Sequence, residues 1–415
     1  MIDELKFVQI GAGNIGRSFI GQLFARAGFE VVFVDVDEAV VAELNRRGRY
    51  RVEIKDVEPE TIWVERVRAV DGRDIEACAR ELATCRLCGT AVGAKAVPHI
   101  IPTLAAGLRE RLRLGNPPLD VIIAENLRNA AAIFREGVRG HLPGDFPLDD
   151  LLGLVETSIG KMVPIMPEEV RREDPLLVYA EAYNTLICDA RGFRNAIPPV
   201  PGLDPKENMA AYVDRKLFVH NLGHACCAYF AHLEAPEMDY IWQAAEHPLI
   251  GEAARRAMWE SGRALINGYP GEFDEGNMGE SIEDLLRRFG NRALGDTIFR
   301  VGRDIPRKLG REERLIGALL FDLGHGVPQP RVTAHAAAAA MYFRATDEHG
   351  ELFPADRDFA EQVLPQGLDH VLTTTCGLDA GASPDRDVWE LVSSAHGELA
   401  SARAQGQSGL ADLLR

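Results

Sequence analysis

The sequence predicts two successive architectures, an α/β half over residues 1–200 and a mainly α-helical half over 201–415. Three observations carry this. Up to residue 190, short apolar runs alternate with amphipathic helical patterns, the order expected of a parallel sheet with helices on its faces. The run Ile197-Pro198-Pro199-Val200-Pro201-Gly202 then breaks all regular structure. From Glu207 onward strand patterns nearly vanish and helical spacing takes over. A chain of 415 residues is also too long for one ordinary core.

The first half opens on strand 7–10, followed by Gly11-Ala12-Gly13-Asn14-Ile15-Gly16 and a helix through Ala27. A second strand, 30–34, ends at Asp35, 19 positions after Gly16. Strand, glycine turn, helix and acidic strand end together are the fingerprint of a Rossmann dinucleotide site, so the fold class is α/β with an N-terminal Rossmann domain. Gly11 permits the tight turn, Gly13 lets backbone approach a pyrophosphate, and Gly16 allows close packing of helix on strand. At the helix start, Asn14 and Ile15 offer backbone N–H groups to the phosphates. A carboxylate at Asp35 suits the ribose hydroxyls and repels a 2′-phosphate, which selects NAD over NADP; Asp37 is the alternative for this role.

A short helix follows over 39–48, then strands 51–54 and 62–64 of an inserted β region and a helix over 75–82. Residues 86–93 read as the fourth parallel strand and its loop, with Thr90, Val92 and Gly93 at the carboxyl end, where ligands gather. After helix 100–112, strand 120–124 ends in Glu125-Asn126. Asn126 can donate to a substrate oxygen there, or cap the helix over 130–139. A mixed segment over 151–163 and strands 176–182 and 186–188 complete this half.

The second half reads as helices over 207–232, 238–247, 249–266, 280–290, 297–302, 311–323, 330–344, 356–364 and a tail from Val388. In the first of them, Lys216, His220, His224 and Asn221 fall at about 0°, 40°, 80° and 140° on an ideal wheel, opposite an apolar arc containing Phe218, Leu222 and Cys226. A shared face of one lysine, two imidazoles and an amide, without a carboxylate, is unusual for a solvated helix. Residues 300–314 carry six basic side chains against three acidic ones. That segment reads equally as a solvated basic loop or as an anion grip.

The formal net charge of −17 argues against a nucleic-acid or anionic-membrane partner. No uncharged apolar run reaches membrane-spanning length and the N-terminus lacks signal-peptide order, so a cytoplasmic location is expected. Seven scattered cysteines imply free thiols; Cys85-x-x-Cys88 lacks a second ligand pair, and no metal is expected.

GAGNIGR (residues 11–17), Asp35, Asn126 and the K-x4-N-x2-H pattern of Lys216, Asn221 and His224 resemble the polyol-specific long-chain dehydrogenases. The resemblance runs from Phe7 to about Phe343 and includes Thr90-Ala91-Val92-Gly93, Arg300-Val301-Gly302-Arg303 and Arg307-Lys308-Leu309. It implies a cleft between the two domains and hydride transfer without a metal. It also implies that Lys216 is the general base, that Asn126 and Asn221 donate to the alkoxide-like oxygen, and that His224 positions the substrate. Arg300 and Lys308 match basic substrate positions of the family, and Arg303 and Arg307 share their segment.

Arginine suits phosphate better than a neutral hydroxyl, so a phosphorylated polyol is the expected substrate. An unphosphorylated polyol, a keto-hexuronate, or an NAD-binding sensor without turnover are the alternatives. Two positions depart from the family: Gly160-Lys161 stands where Asp-Arg is usual, and His220 has no family role. The sequence leaves a monomer or a homodimer open.

Overall fold

The structure is a computed structural model that describes residues 2–164 and 166–415. It divides into two compact units, Met1–Met209 and Ala210–Arg415.

The first unit is built on an eight-stranded sheet. Its strands are β1 (Asp3–Ile10), β2 (Glu30–Asp35), β5 (Val67–Asp71), β6 (Cys85–Thr90), β7 (Leu119–Ile123), β8 (Leu152–Ser158), β10 (Leu186–Asp189) and β11 (Leu203–Lys206), in the order β11-β10-β8-β7-β6-β1-β2-β5. From β5 to β8 every neighbouring pair is parallel, and β10 turns antiparallel against β8. Successive residues of β1 point to opposite faces: Phe7 joins a core with Phe19, Phe24 and Phe33, while Val8 joins another with Leu104, Leu108 and Phe134. Both faces are covered, as a parallel sheet requires.

β3 (Arg49–Ile54), β4 (Glu60–Glu65) and β9 (Val178–Ala180) form a separate three-stranded sheet, the inserted β region. The third parallel strand, β5, escapes the sequence reading because it lies at the sheet edge with only alternate residues buried. The strand expected over 176–182 shrinks to three residues. Beyond the Pro-rich break, β11 adds to the sheet, so the boundary read at 200/201 falls before that strand.

The second unit is helical. Its segments include Met209–Arg215, Leu222–Glu234, Pro248–Gly268, Glu275–Phe289, Ile298–Gly302, Ile305–Lys308, Ile316–Gly324, Arg331–Tyr342, Pro354–Asp358 and Asp385–Ala404. The expected helix over 311–323 begins only at Ile316, and the one over 356–364 is replaced by Pro354–Asp358 and a π-helical turn, Phe359–Val363. The helix read over 207–232 is one path with a change of winding inside it: Lys216–Asn221 is π-helical. Because a π turn closes i→i+5, Asn221 stands one turn beyond Lys216, and the 140° separation of the ideal wheel does not apply.

Candidate active site

The glycine turn of the first unit is shaped by close contacts. Gly11 has φ +94°, and a Cβ there would stand 2.4 Å from the Ala91 carbonyl oxygen. A Cβ on Gly16 would come within 2.0 Å of Gly11 O, so this helix approaches β1 only without a side chain. Gly13 is exposed, with nothing within 4 Å of its missing Cβ, so the loop presents bare backbone there. Exposed Asn14 and half-buried Ile15 begin the helix. Open backbone at a helix start fits a pyrophosphate.

Asp35 accepts from Ala12 N at 2.6 Å and from Asp37 N at 3.0 Å, so the carboxylate also ties the glycine loop to the end of β2. Asp37 is engaged elsewhere: it caps helix Glu38–Arg47 through Ala39 N and Val40 N.

At the end of β6, Thr90 is fully buried. The N–H groups of Val92 and Gly93 both donate to Glu125, each at 2.8 Å. Those two amides are therefore occupied within the protein. Glu125 is buried, and burial pushes its carboxyl above the ordinary range against the pull of these two donors. The sequence reading missed this carboxylate, although it immediately precedes Asn126 at a strand end. Asn126 itself is exposed and makes no side-chain hydrogen bond among the described residues. It does not cap helix Ala130–Arg139, because Asn129 occupies the cap position and Glu156 accepts from Ala131 N at 2.8 Å.

In the second unit the π turn carries Lys216 at its start and Asn221 at its end. Gly223 seats the following helix: a Cβ there would be 2.4 Å from Met258 Sδ, so helix Pro248–Gly268 packs close only against glycine. The half-buried Lys216 amine has no hydrogen bond or ion pair among the described residues. Burial, with the Arg314 cation second, pulls its pKa down to about 8. Asn221 is half-buried and its amide is likewise unengaged.

His224 lies flat on Phe289, ring centroids 4.7 Å apart and 5° from parallel. Its Nε2 is 3.1 Å from Asp296 Oδ2, although the angle falls short of an aligned hydrogen bond. The same buried carboxylate receives Arg300 Nε at 2.6 Å. Burial alone would push the Asp296 carboxyl up, yet His224 and Arg300 outweigh it and hold the group below the usual carboxylate range. Asp296 is a second residue that sequence reasoning missed; its one local signal is the i,i+4 spacing to Arg300. The His220 ring is tilted 49° against Phe289 with centroids 5.7 Å apart, and burial, reinforced by Arg288, His224, Lys216 and Arg314, lowers its pKa well below the ordinary value.

The basic segment separates into inward and outward groups. Lys308 is buried, donates to the Val301 carbonyl, and is brought down to about 7 by burial, followed by Arg314 and Arg307. Arg300 is held by Asp296. Arg303 lies over Phe299 at 5.7 Å and over Phe353 at 5.4 Å. Arg307 is exposed and paired with both Asp304 and Glu313. Arg311 pairs with Asp385. Arg314, half-buried, has Glu313 at 3.2 Å and faces Lys216 and Lys308 electrostatically.

Of the two departures, Lys161 is buried and donates to Tyr183 O at 2.7 Å and to Asn184 Oδ1 at 3.0 Å, with its ammonium over the Phe19 ring. It braces the first unit internally. Cys85 and Cys88 are buried free thiols, and burial raises Cys85 to about 11. Among the described residues no three His, Cys, Asp or Glu side chains are grouped to hold a metal ion.

Two family profiles cover most of the chain: the mannitol dehydrogenase Rossmann domain matches residues 5–202, and the mannitol dehydrogenase C-terminal domain matches residues 208–374. Mannitol-1-phosphate 5-dehydrogenase of Brevibacillus brevis is 35% identical over 378 residues, 90% of this chain and 94% of that protein. Among solved structures, mannitol 2-dehydrogenase of Pseudomonas fluorescens, in a ternary complex with NAD and D-mannitol, has a TM-score of 0.72 at 15% identity, covering 99% of this chain and 94% of that one. A substrate-free D-sorbitol dehydrogenase has a TM-score of 0.77 at 15% identity, covering 97% and 94%. These two share the fold. The chain belongs to the mannitol dehydrogenase family and is an NAD-dependent dehydrogenase acting on a secondary alcohol.

Proposed function

We propose that this protein interconverts a sugar-alcohol phosphate and its ketose phosphate, mannitol 1-phosphate and fructose 6-phosphate, using NAD. The observation that carries the reading is Lys216, an unengaged amine drawn down to about 8 by burial and by the Arg314 cation, in a chain 35% identical to a mannitol-1-phosphate 5-dehydrogenase. Bound NAD supplies the hydride acceptor. The bare backbone at Gly13 and the helix start receive its pyrophosphate, and Asp35 receives its adenosine ribose.

Lys216 takes the hydroxyl proton as the carbinol carbon gives up hydride, and returns it in the reduction. Asn126 and Asn221, whose amides are unengaged, donate to the carbinol oxygen as negative charge develops on it. His224, fixed by Phe289 and Asp296, orients a neighbouring hydroxyl. Lys308 and Arg300, with Arg303 beside them, attract the phosphate. Ionised Asp296 beside Arg300 neutralises part of that field, and Lys308 at about 7 becomes fully cationic when an anion binds next to it.

No helix of the described residues is long and apolar enough to cross a membrane. A cytoplasmic enzyme without a nucleic-acid partner, monomeric or homodimeric, is the setting that fits this substrate. Absorbance of NADH with fructose 6-phosphate, fructose and tagaturonate in turn tests the reading. Fructose 6-phosphate should be turned over with the highest kcat/KM. Turnover of fructose or tagaturonate in preference to it would defeat the phosphate assignment, and no turnover of any would point to a substrate outside these three or to a non-catalytic NAD sensor.

A further inference from the structure

The chain that follows Phe343 reaches back to both ends of the basic segment. At the first end Asp304 has φ 70°, a left-handed conformation disfavoured for a residue with a side chain. Its N–H and that of Ile305 both donate to Asp356, at 3.0 and 2.6 Å. Asp356 is 3% exposed and belongs to helix Pro354–Asp358. The turn it holds leads directly into Lys308, whose N–H donates to Asp304 O at 3.1 Å. Phe353, at the start of the same helix, covers the Arg303 guanidinium.

At the other end, Arg311 forms a two-nitrogen pair with Asp385 at 2.5 and 2.8 Å and donates to Gly377 O at 3.1 Å. Asp385 in turn accepts from Asp379 N at 2.9 Å. Residues 303–311 are thus suspended between two carboxylates contributed by later parts of the chain. Within residues 303–311 the turn has only the Asp304–Arg307 pair and the Lys308 N–H to Asp304 O bond, and the two later carboxylates add anchors at both of its ends.

We propose that residues 344–385 act as a strap in which Asp356 and Asp385 are positioning residues, fixing the turn that presents Lys308 and Arg303 to the anionic group of the substrate. The proposal rests on the phosphorylated substrate of the preceding section. Asp356 holds the geometry through the backbone N–H groups of Asp304 and Ile305, and its charge also faces Lys308. Its loss therefore acts on recognition of the anion rather than on hydride transfer.

The test uses the full-length enzyme with Asp356→Asn and, separately, Asp385→Asn. kcat and KM are measured with fructose 6-phosphate and with fructose, alongside KM for NADH and the thermal midpoint. KM for fructose 6-phosphate is expected to rise roughly 10- to 100-fold, as a displaced contact of about 1 Å can cause, while kcat and KM for NADH stay within about twofold. Because kcat/KM for fructose should not change, the preference for the phosphorylated ketose should fall by the same factor. Should Asp356→Asn fail to fold, Asp385→Asn decides on the same readout. A wild-type preference that the folded variants retain, or an equal loss on both ketoses, overturns the strap alone. A wild-type enzyme with no preference overturns the phosphate reading and the strap with it.

Discussion

Replacing Arg314 by Gln probes how the base is made usable. An ordinary lysine with a pKa of 10.5 is neutral at pH 7 only about three times in ten thousand, whereas one at about 8 is neutral roughly one time in ten. The environment of Lys216 thus supplies a factor of about 300 in competent base at pH 7. Burial is the larger cause and Arg314 the smaller. Removing the cation should move the inflection of the kcat profile upward from about 8, to a value short of 10.5 because burial persists.

The sign follows from the role. Oxidation needs neutral Lys216, so its rate rises with pH through the inflection; reduction needs the ammonium, so its rate falls through the same point. Initial rates of NADH formation from mannitol 1-phosphate at saturating substrates, from about pH 6.5 to about 10.5, give the profile. Arg314→Lys keeps the charge and should keep the inflection. A wild-type inflection near 10.5, or one that Arg314→Gln leaves in place, would refute the assignment of Arg314 as the tuning cation.

Three further outcomes are expected. Asp35→Ala should raise KM for NAD and relax discrimination against NADP, since both the ribose acceptor and the tie to Ala12 N are lost; an unchanged cofactor ratio in steady-state kinetics would move the role elsewhere. Asp296→Asn frees His224 and Arg300 from their shared carboxylate and should lower kcat/KM by a factor on the order of 10 to 100, the worth of a charge-assisted contact, with the melting temperature showing whether folding is spared. Glu125→Gln leaves one of the Val92 and Gly93 amides facing a donor, and should cost about 1–3 kcal/mol in denaturant unfolding and weaken NADH binding in a fluorescence titration.

The Rossmann half was legible because its signals are local: a glycine loop between a strand and a helix, and an acidic residue at the next strand end. Lys216, Asn221 and His224 were legible as a group for the same reason, since one helical path carries all three. Their relative placement was not, because winding depends on tertiary packing and a π turn leaves no pattern in composition. Asp296 left only its i,i+4 spacing to Arg300, while Asp356 and Asp385 were beyond reach: each acts through a partner on another segment, and a lone aspartate has no periodicity to read. The same holds for Glu125, whose function is to accept two backbone N–H groups from another strand's loop. The basic segment was visible as a charge excess, but only the fold separates buried Lys308 from exposed Arg307.

The account turns on Lys216 as the proton acceptor, and Lys216→Ala examines that most directly. NADH binding, followed by fluorescence, should match the wild type, while turnover of mannitol 1-phosphate falls by a factor on the order of 10² to 10⁴. Intact NADH binding with unaltered turnover would contradict the account.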